Sequence, residues 1–295
     1  MSAFPSELNW VMTIVKTFLS TIFIACLLAA TAYGAKDRDL ARLKKSGHCK
    51  NCDLSGADLQ GMDLSGARLV KSNLSGANLS GANLSDANVD EANFSDANLN
   101  GAKLTKAKAR NTDMRKADLT GADLSGTELQ RSDLREAKLV GVDAPFADFS
   151  EAILNRAIFR DANLAGANLA LTGIYKTDFS FANLQMSNFG AETRALQMRG
   201  YGGAIFEGAN MSKIDLSKAD LSGLNMRGVN LANSTLVDAK LFRTDLGEAD
   251  LTDTNLTGAM GLSDAEFVKA QTCRTKWKSQ VHNEDCLGSL QDLWW

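Results

Sequence analysis

From Leu54 to Phe189 every fifth residue of this chain is apolar, without a gap, over 28 consecutive positions. Most of these centres are Leu. Phe94, Phe149, Phe159, Phe179 and Phe189 are the large exceptions, and Ala109 and Ala144 the small ones. Two residues before each centre stands another uncharged residue, usually Ala, as at Ala57, Ala67 and Ala77. The residue between them is usually Asp or Asn, and a small or polar pair such as Ser-Gly follows. A period of five is neither helical nor that of a plain strand. Two apolar side chains on alternate residues nevertheless share one face of a local strand. The other three positions then point outward, and the chain turns every five residues, which small residues and glycine permit. Four right-angle turns close a square of twenty residues. Stacked squares pair backbone to backbone at about 4.8 Å, with the large centres filling the interior.

The stretches "CDLSGADLQGMDLSGARL" and "ANLSGANLSDANVDEANFSDANL" resemble the pentapeptide-repeat family, A-(D/N)-L-x-x. The resemblance covers about Leu54 to Leu256. A second block, Phe206 to Leu256, adds 11 centres, and none of the 39 small positions in the two blocks is charged. It implies an all-β fold, a right-handed quadrilateral β-helix solenoid of nearly ten coils, about 45–50 Å long. Each buried Leu contributes roughly 1.5–3 kcal/mol before entropy is subtracted.

The first 35 residues are of another kind. Lys16 precedes an apolar run from Thr17 to Ala32 that ends in Ala30-Thr31-Ala32, the layout of a secretory signal peptide over 1–32. Met12 offers a tidier start than Met1. A retained anchor over Val11–Ala32 is the alternative, since that run is just long enough to span a bilayer. The short apolar core and the A-x-A site favour cleavage. Cys26 is a poor match to a lipoprotein site, because apolar residues continue after it. Export gives a periplasmic or secreted location, or a thylakoid lumen if the source is cyanobacterial.

An oxidising compartment favours disulfides, and the remaining cysteines form two local pairs: Cys49 with Cys52 in "HCKNC", and Cys273 with Cys286. A metal reading would use His48, Cys49 and Cys52, or Cys273, His282 and Cys286, and neither set offers four ligands at zinc spacing. Cys273 to Cys286 also resembles the disulfide tail of exported pentapeptide proteins, without the Pro-Asp-Gly turn often present there.

Repeat proteins need end caps. Residues 33–53 form the expected N-terminal cap, ahead of the first block at 54–189. An irregular loop at 190–205 separates this from the second block at 206–260. Ser263 and Glu266, in capping-box spacing, predict a short capping helix over Asp264 to Ala270 within a C-terminal segment at 261–295.

The chemistry-bearing residues do not converge on a reaction. His48 and His282 lie beyond opposite ends of the repeat, so no Ser–His–Asp or Cys–His set assembles within the coils. Catalytic, cofactor and metal sites are therefore expected to be absent, and the chain is expected not to be an enzyme. Some cytosolic pentapeptide proteins imitate DNA and bind gyrase, which is the alternative function. That needs a strongly acidic face, whereas here Asp86, Asp90, Glu91 and Asp96 are followed by Lys103, Lys106, Lys108, Arg110, Arg115 and Lys116, and the net charge is only −3.

The outward positions hold a clearer signal. The residue before each centre is Asn, Asp or another charged residue except at Ile153, Ile158, Gly173, Ile205 and Thr235, and Phe146, Leu171, Tyr175, Phe181 and Met186 occupy other outward positions. Ile153, Gly173 and Tyr175 share one side of the square; Ile158 and Phe181 belong to the next. The irregular loop is expected to replace two sides of the eighth coil above them, with Met198 and Tyr201 folding onto the apolar strip. Arg194 and Arg199 would otherwise point inward. Ile153, Ile158, Tyr175, Phe181, Met198 and Tyr201 are thus either a self-covering patch or a protein-binding surface. No nucleic acid is expected as partner, and no membrane after signal cleavage.

Overall fold

The computed structural model describes residues 36–189, 204–277 and 280–281. The expected signal peptide lies outside them. Among the described residues no helix is long and apolar enough to cross a membrane.

The repeat dictates the architecture at three levels. Locally, the chain turns after every centre: the Ala57 amide donates to the Leu54 carbonyl at 3.0 Å. The third residue of this turn takes positive φ (59° at Gly56), a conformation glycine adopts at little cost. The Asp or Asn before each centre supports the same corner. Asp53 Oδ1 accepts from the Ser55 amide at 3.1 Å, and the pattern recurs along the rod.

Between coils, residues twenty apart pair as parallel bridges from His48↔Arg68 to Lys240↔Met260; the spacing is 27 across the break and 21 from Asp245↔Glu266 to Asn255↔Lys276. Each residue before a centre donates to the coil below and accepts from it: the Asn73 amide bonds the Cys52 carbonyl at 2.8 Å, and the Leu54 amide bonds the Asn73 carbonyl at 2.7 Å. The same Asp/Asn side chains also form ladders, as where Asn78 Nδ2 donates to Asp58 Oδ1 at 3.0 Å. One polar residue therefore serves both the corner and the stacking, which explains its recurrence.

Inside, the centres and small residues make one continuous apolar core. Where a small position holds Thr, its hydroxyl is satisfied within the core: Thr177 Oγ1 donates to the Leu154 carbonyl at 2.8 Å and Thr127 Oγ1 to the Leu104 carbonyl at 2.7 Å. Phe159, Phe179 and Phe206 stack along one face, with centroids 5.2 and 5.3 Å apart.

The square has four faces. The first runs through Leu54 to Ile174, the second through Leu59 to Phe179, the third through Leu64 to Leu184, and the fourth through Leu69 to Phe189. This geometry corrects the expected break. Asp178 bridges Ile205 and Asn183 bridges Asn210, so Phe206 belongs to the second face. The chain leaves regular coil after Phe189 on the fourth face and needs to cross only the first. Phe189 to Phe206 spans 17 residues where two repeats take 10, so the excess is seven residues on one side of the square, not two residues over two sides. Regular coil resumes at Ala204, which is buried.

The N-terminal end carries a cap, and the C-terminal end differs from expectation. Residues 36–46 form a helix, α1, over the first coil, with Leu43 buried and Leu40 packed on the core. At the other end Asp264–Ala270 is not a helix. A 3-10 turn, Leu262–Asp264, absorbs one extra residue after Gly261, and coil then continues. Glu266, Gln271 and Lys276 bridge Asp245, Asp250 and Asn255, and Phe267 is an inward centre. Burial of Phe267 in register with Leu246 prevails over the capping-box spacing of Ser263 and Glu266. The second block therefore extends beyond residue 260. It ends in a two-residue strand β1 (Lys276–Trp277) paired antiparallel with β2 (Gln280–Val281).

Candidate functional site

The outward apolar residues gather around one level of the rod. Leu171, Phe181 and Met186 occupy three corners of the coil immediately below the break, at positive φ of 61°, 59° and 58°. Glycine, Asn or a charged residue usually stands at such corners. Phe181 is 59% exposed and Met186 64%, and Tyr175, on the first face, is exposed as well. Lys176 Nζ lies 5.4 Å from the Tyr175 ring centroid. Phe146, exposed on the corner that also carries Met186, lies farther down the rod.

Ile153 and Ile158 are half-buried. Ile153 bridges Gly173 on the first face, below Tyr175, while Ile158 bridges Asp178 on the second. Four of the six expected surface residues, Ile153, Ile158, Tyr175 and Phe181, therefore occupy adjoining faces. Met198 and Tyr201 lie outside the described residues, as do Arg194 and Arg199. The apolar corners continue farther around the rod than those six residues suggest, since Leu171 and Met186 belong to the same coil. Both are visible in the sequence as large apolar residues two positions after a centre.

Phe242, Met260 and Val268 form further exposed apolar positions in the second block. The Phe242 ring rests against Gly261, where an added Cβ would meet its Cγ at 2.6 Å.

Several charged side chains elsewhere on the rod pair between coils. Arg110 Nη2 contacts Asp90 Oδ2 at 2.6 Å, Arg131 Nε contacts Glu151 at 3.1 Å, and Arg160 Nη2 contacts Asp178 at 2.8 Å. In a groove lined by Ser95, Asp96, Arg115, Lys116, Arg135 and Glu136 the closest ion pairs lie within a coil instead. Its Arg115 pairs with Asp113 at 2.6 Å and Arg135 with Asp133 at 2.5 Å. The hydrogen bond from Arg115 holds the Asp113 carboxyl below the usual carboxylate range, outweighing its burial. Ion pairs within and between coils thus set charges of both signs side by side along the rod.

At the N-terminal end Cys49 and Cys52 are in disulfide geometry, with Cα atoms 5.5 Å apart. Cys49 takes an inward centre position and Cys52 a small inward position. Asp39 joins them in a cluster of three ligand-type atoms within 4.8 Å of one another. Sulfurs bonded to each other carry no thiolate, and the Arg42 guanidinium stands beside them, so this set does not suit a cation. Cys273 is also disulfide-bonded; its expected partner, Cys286, lies outside the described residues.

Comparison with known proteins agrees with this geometry. A profile of pentapeptide repeats, in eight copies, matches residues 48–86, 77–115, 112–145, 146–172, 202–233 and 234–270. Among solved structures the chain is similar to HetL, a pentapeptide repeat protein involved in heterocyst differentiation regulation from the cyanobacterium Nostoc sp. Strain PCC 7120. The identity is 26%, the TM-score 0.55, and the match covers 82% of this chain and 98% of HetL. A trypsin-treated variant of QnrB1, a plasmid-mediated fluoroquinolone resistance protein, matches at 18% identity and a TM-score of 0.41, over 79% of this chain and 90% of its own. That second likeness is too distant to carry a functional argument. Comparison with curated protein sequences gives no match. The coils form a right-handed β-helix, and the chain belongs to the pentapeptide-repeat family.

Proposed function

We propose that this chain is a non-enzymatic scaffold of the bacterial envelope, exported by its N-terminal segment, that holds a protein partner at the level of residues 170–189. The exposed apolar corners Leu171, Phe181 and Met186, with Tyr175 between them, carry this reading. Exposed apolar side chains gathered on a rigid support are a usual feature of protein-binding surfaces. The register break between Phe189 and Ala204, seven residues longer than regular coil, falls at the same level.

Export is supported by the apolar run ending at Ala30-Thr31-Ala32 and by paired cysteines at the first coil. HetL, the similar protein, is described by a part in regulation, a role compatible with binding rather than turnover. The proposed partner is neither nucleic acid nor, once the signal is removed, a membrane.

The test is affinity capture from a periplasmic fraction, comparing wild type with a variant whose residues 190–203 are replaced by the regular stretch Ser-Gly-Ala-Asn-Leu-Ser-Gly and with a Leu171→Ser/Met186→Ser variant. The reading expects a protein retained by wild type and lost from both variants, with neither variant less thermally stable than wild type. Retention by the variants, or fractionation of the native protein to the cytosol with its N-terminus intact, would refute it.

A further inference from the structure

The Cys49–Cys52 pair is more than a pin for the first coil. Arg42 of α1 places Nη2 2.7 Å from Cys52 Sγ. The same Arg42 nitrogen is 2.9 Å from Asp39 Oδ1, and Asp39 Oδ2 accepts the Asp53 amide at 2.9 Å. Cys49 Sγ faces a different group, the Asp39 carbonyl oxygen, at 3.3 Å. The two sulfurs are therefore electrostatically unlike. A guanidinium stabilises a thiolate, whereas a carbonyl oxygen favours a thiol that keeps its proton. Nearby in the first coil, Asp53 feels the charge of Lys36 on α1, and His48 Nδ1 accepts the Arg68 amide at 3.2 Å. Lys50 approaches Cys52 Sγ through its carbonyl oxygen, at 3.7 Å, and not through its charge.

We propose that Cys49–Cys52 is a reducible dithiol–disulfide site whose partner is a dithiol reductant, with Arg42 holding the Cys52 thiolate. A thiolate of the reductant attacks Cys49 Sγ. The Cys49–Cys52 bond breaks, and its electron pair leaves on Cys52 Sγ beside Arg42. The reductant's second thiolate then attacks its own sulfur on Cys49, closing the reductant's disulfide and releasing Cys49. Two electrons pass to the pair. One of the reductant's two protons ends on Cys49, and the other goes to solvent while Cys52 stays a thiolate. A leaving thiol of low pKa departs faster, which assigns Cys52 as leaving group and Cys49 as the attacked sulfur.

Both cysteines are buried beneath α1, so exchange proceeds when α1 opens from the coil. The hydrophobic hold on α1 is small, through Leu40 and Leu43, and local opening of such an end element costs less than global unfolding. Reduction removes the covalent tie at this end and loosens α1 further. The site is independent of the partner-binding reading above, because its test reads thiol chemistry and not partner retention.

The test uses the full chain and dithiothreitol as reductant. Peptide-resolved mass spectrometry separates Cys49 and Cys52 from Cys26, Cys273 and Cys286. The pair should be reduced without denaturant. In the reduced protein the pH midpoint for alkylation of Cys52 should lie about one unit or more below the ordinary thiol value of about 8.5. Arg42→Gln should bring it back to that value, and Arg42→Lys should keep it low. Reduction only in urea, or a Cys52 midpoint at or above the ordinary value that does not respond to Arg42→Gln, would overturn the proposal. Since Arg42 is half-exposed and Arg42→Lys keeps its charge, misfolding of one variant leaves the other to decide.

Discussion

The ring of Phe181 lies on Gly208 of the next coil: a Cβ added at Gly208 would stand 2.6 Å from Phe181 Cδ1. Phe146 bears on Gly166 with the same 2.6 Å approach. These exposed rings are thus seated on the rod by a glycine one coil above. Gly208 and Gly101 both take positive φ, 63° and 62°, but Gly101 has nothing within 4 Å of an added Cβ. Gly101→Ala should therefore show the backbone cost alone, roughly 1 kcal/mol. Gly208→Ala should cost more, and Phe181→Ala in the same chain should recover the difference. Urea denaturation of the four variants, Phe181→Ala alone included, measures this. Equal losses at Gly208 and Gly101 would remove the ring contact as a cause.

The stack of Phe159, Phe179 and Phe206 joins the two blocks. Phe179 and Phe206 lie 5.3 Å apart at an interplanar angle of 7°, although 27 residues separate them in the chain. Phe206→Ala should cost about 3–5 kcal/mol, as for other buried aromatic truncations. Denaturant unfolding followed by circular dichroism would show it as a lower midpoint.

Acid should weaken the ion pairs on the surface of the rod in a defined direction. The Arg115 hydrogen bond, outweighing burial, depresses the Asp113 carboxyl. Hydrogen bonds from Ser180 and Arg160 likewise overcome the burial that would push Asp178 up. A carboxylate whose folded pKa is depressed contributes stability above its unfolded pKa, about 3.9, and loses that contribution as pH falls through the lower folded value. Asp113→Asn keeps the oxygen that accepts the Arg115 amide but removes the charge. It should be less stable than wild type at pH 7 by at most about 1 kcal/mol, because Arg115 is half-exposed. The gap should close toward pH 2. Thermal unfolding across pH 2–7 tests this, and a constant gap would contradict it.

Thr177 tests the polar part of the core. Its hydroxyl donates to the Leu154 carbonyl of the coil below. Thr177→Val should cost about 1 kcal/mol, through the lost hydrogen bond and the valine methyl put beside a carbonyl. Thr177→Ser should cost less. Chemical denaturation of the pair separates hydrogen bonding from volume.

The coils were legible in the sequence because the period itself assigns each residue to the inside, the ladder or a corner. Leu54, Ala57 and Asp58 stand where that assignment puts them. The break was not legible in the same way. Insertions of two or seven residues both join Phe189 to Phe206, and the entropy of closing a loop changes little between them. The contact with Phe179, distant in sequence, selects the face. At the C-terminal end one residue inserted after Gly261 hid the continuing centres, so the local Ser263/Glu266 spacing stood out although Phe267 was the stronger determinant. Leu40 and Leu43, three residues apart among charged neighbours, were the available signal for α1. For the candidate surface, Tyr175 and Phe181 were readable as apolar residues at outward positions. That Leu171 and Met186 extend it around one coil required the four faces to be placed.

The most direct measurement concerns the break. Replacing the fourteen residues 190–203 with a seven-residue stretch in the regular pattern, Ser-Gly-Ala-Asn-Leu-Ser-Gly, would join Phe189 to Ala204 as uninterrupted coil if the excess lies on one face. Thermal unfolding by circular dichroism should then show one cooperative transition at or above the wild-type temperature. A lower midpoint, or separate transitions for the two blocks, would contradict a continuous rod carrying a single-sided insertion.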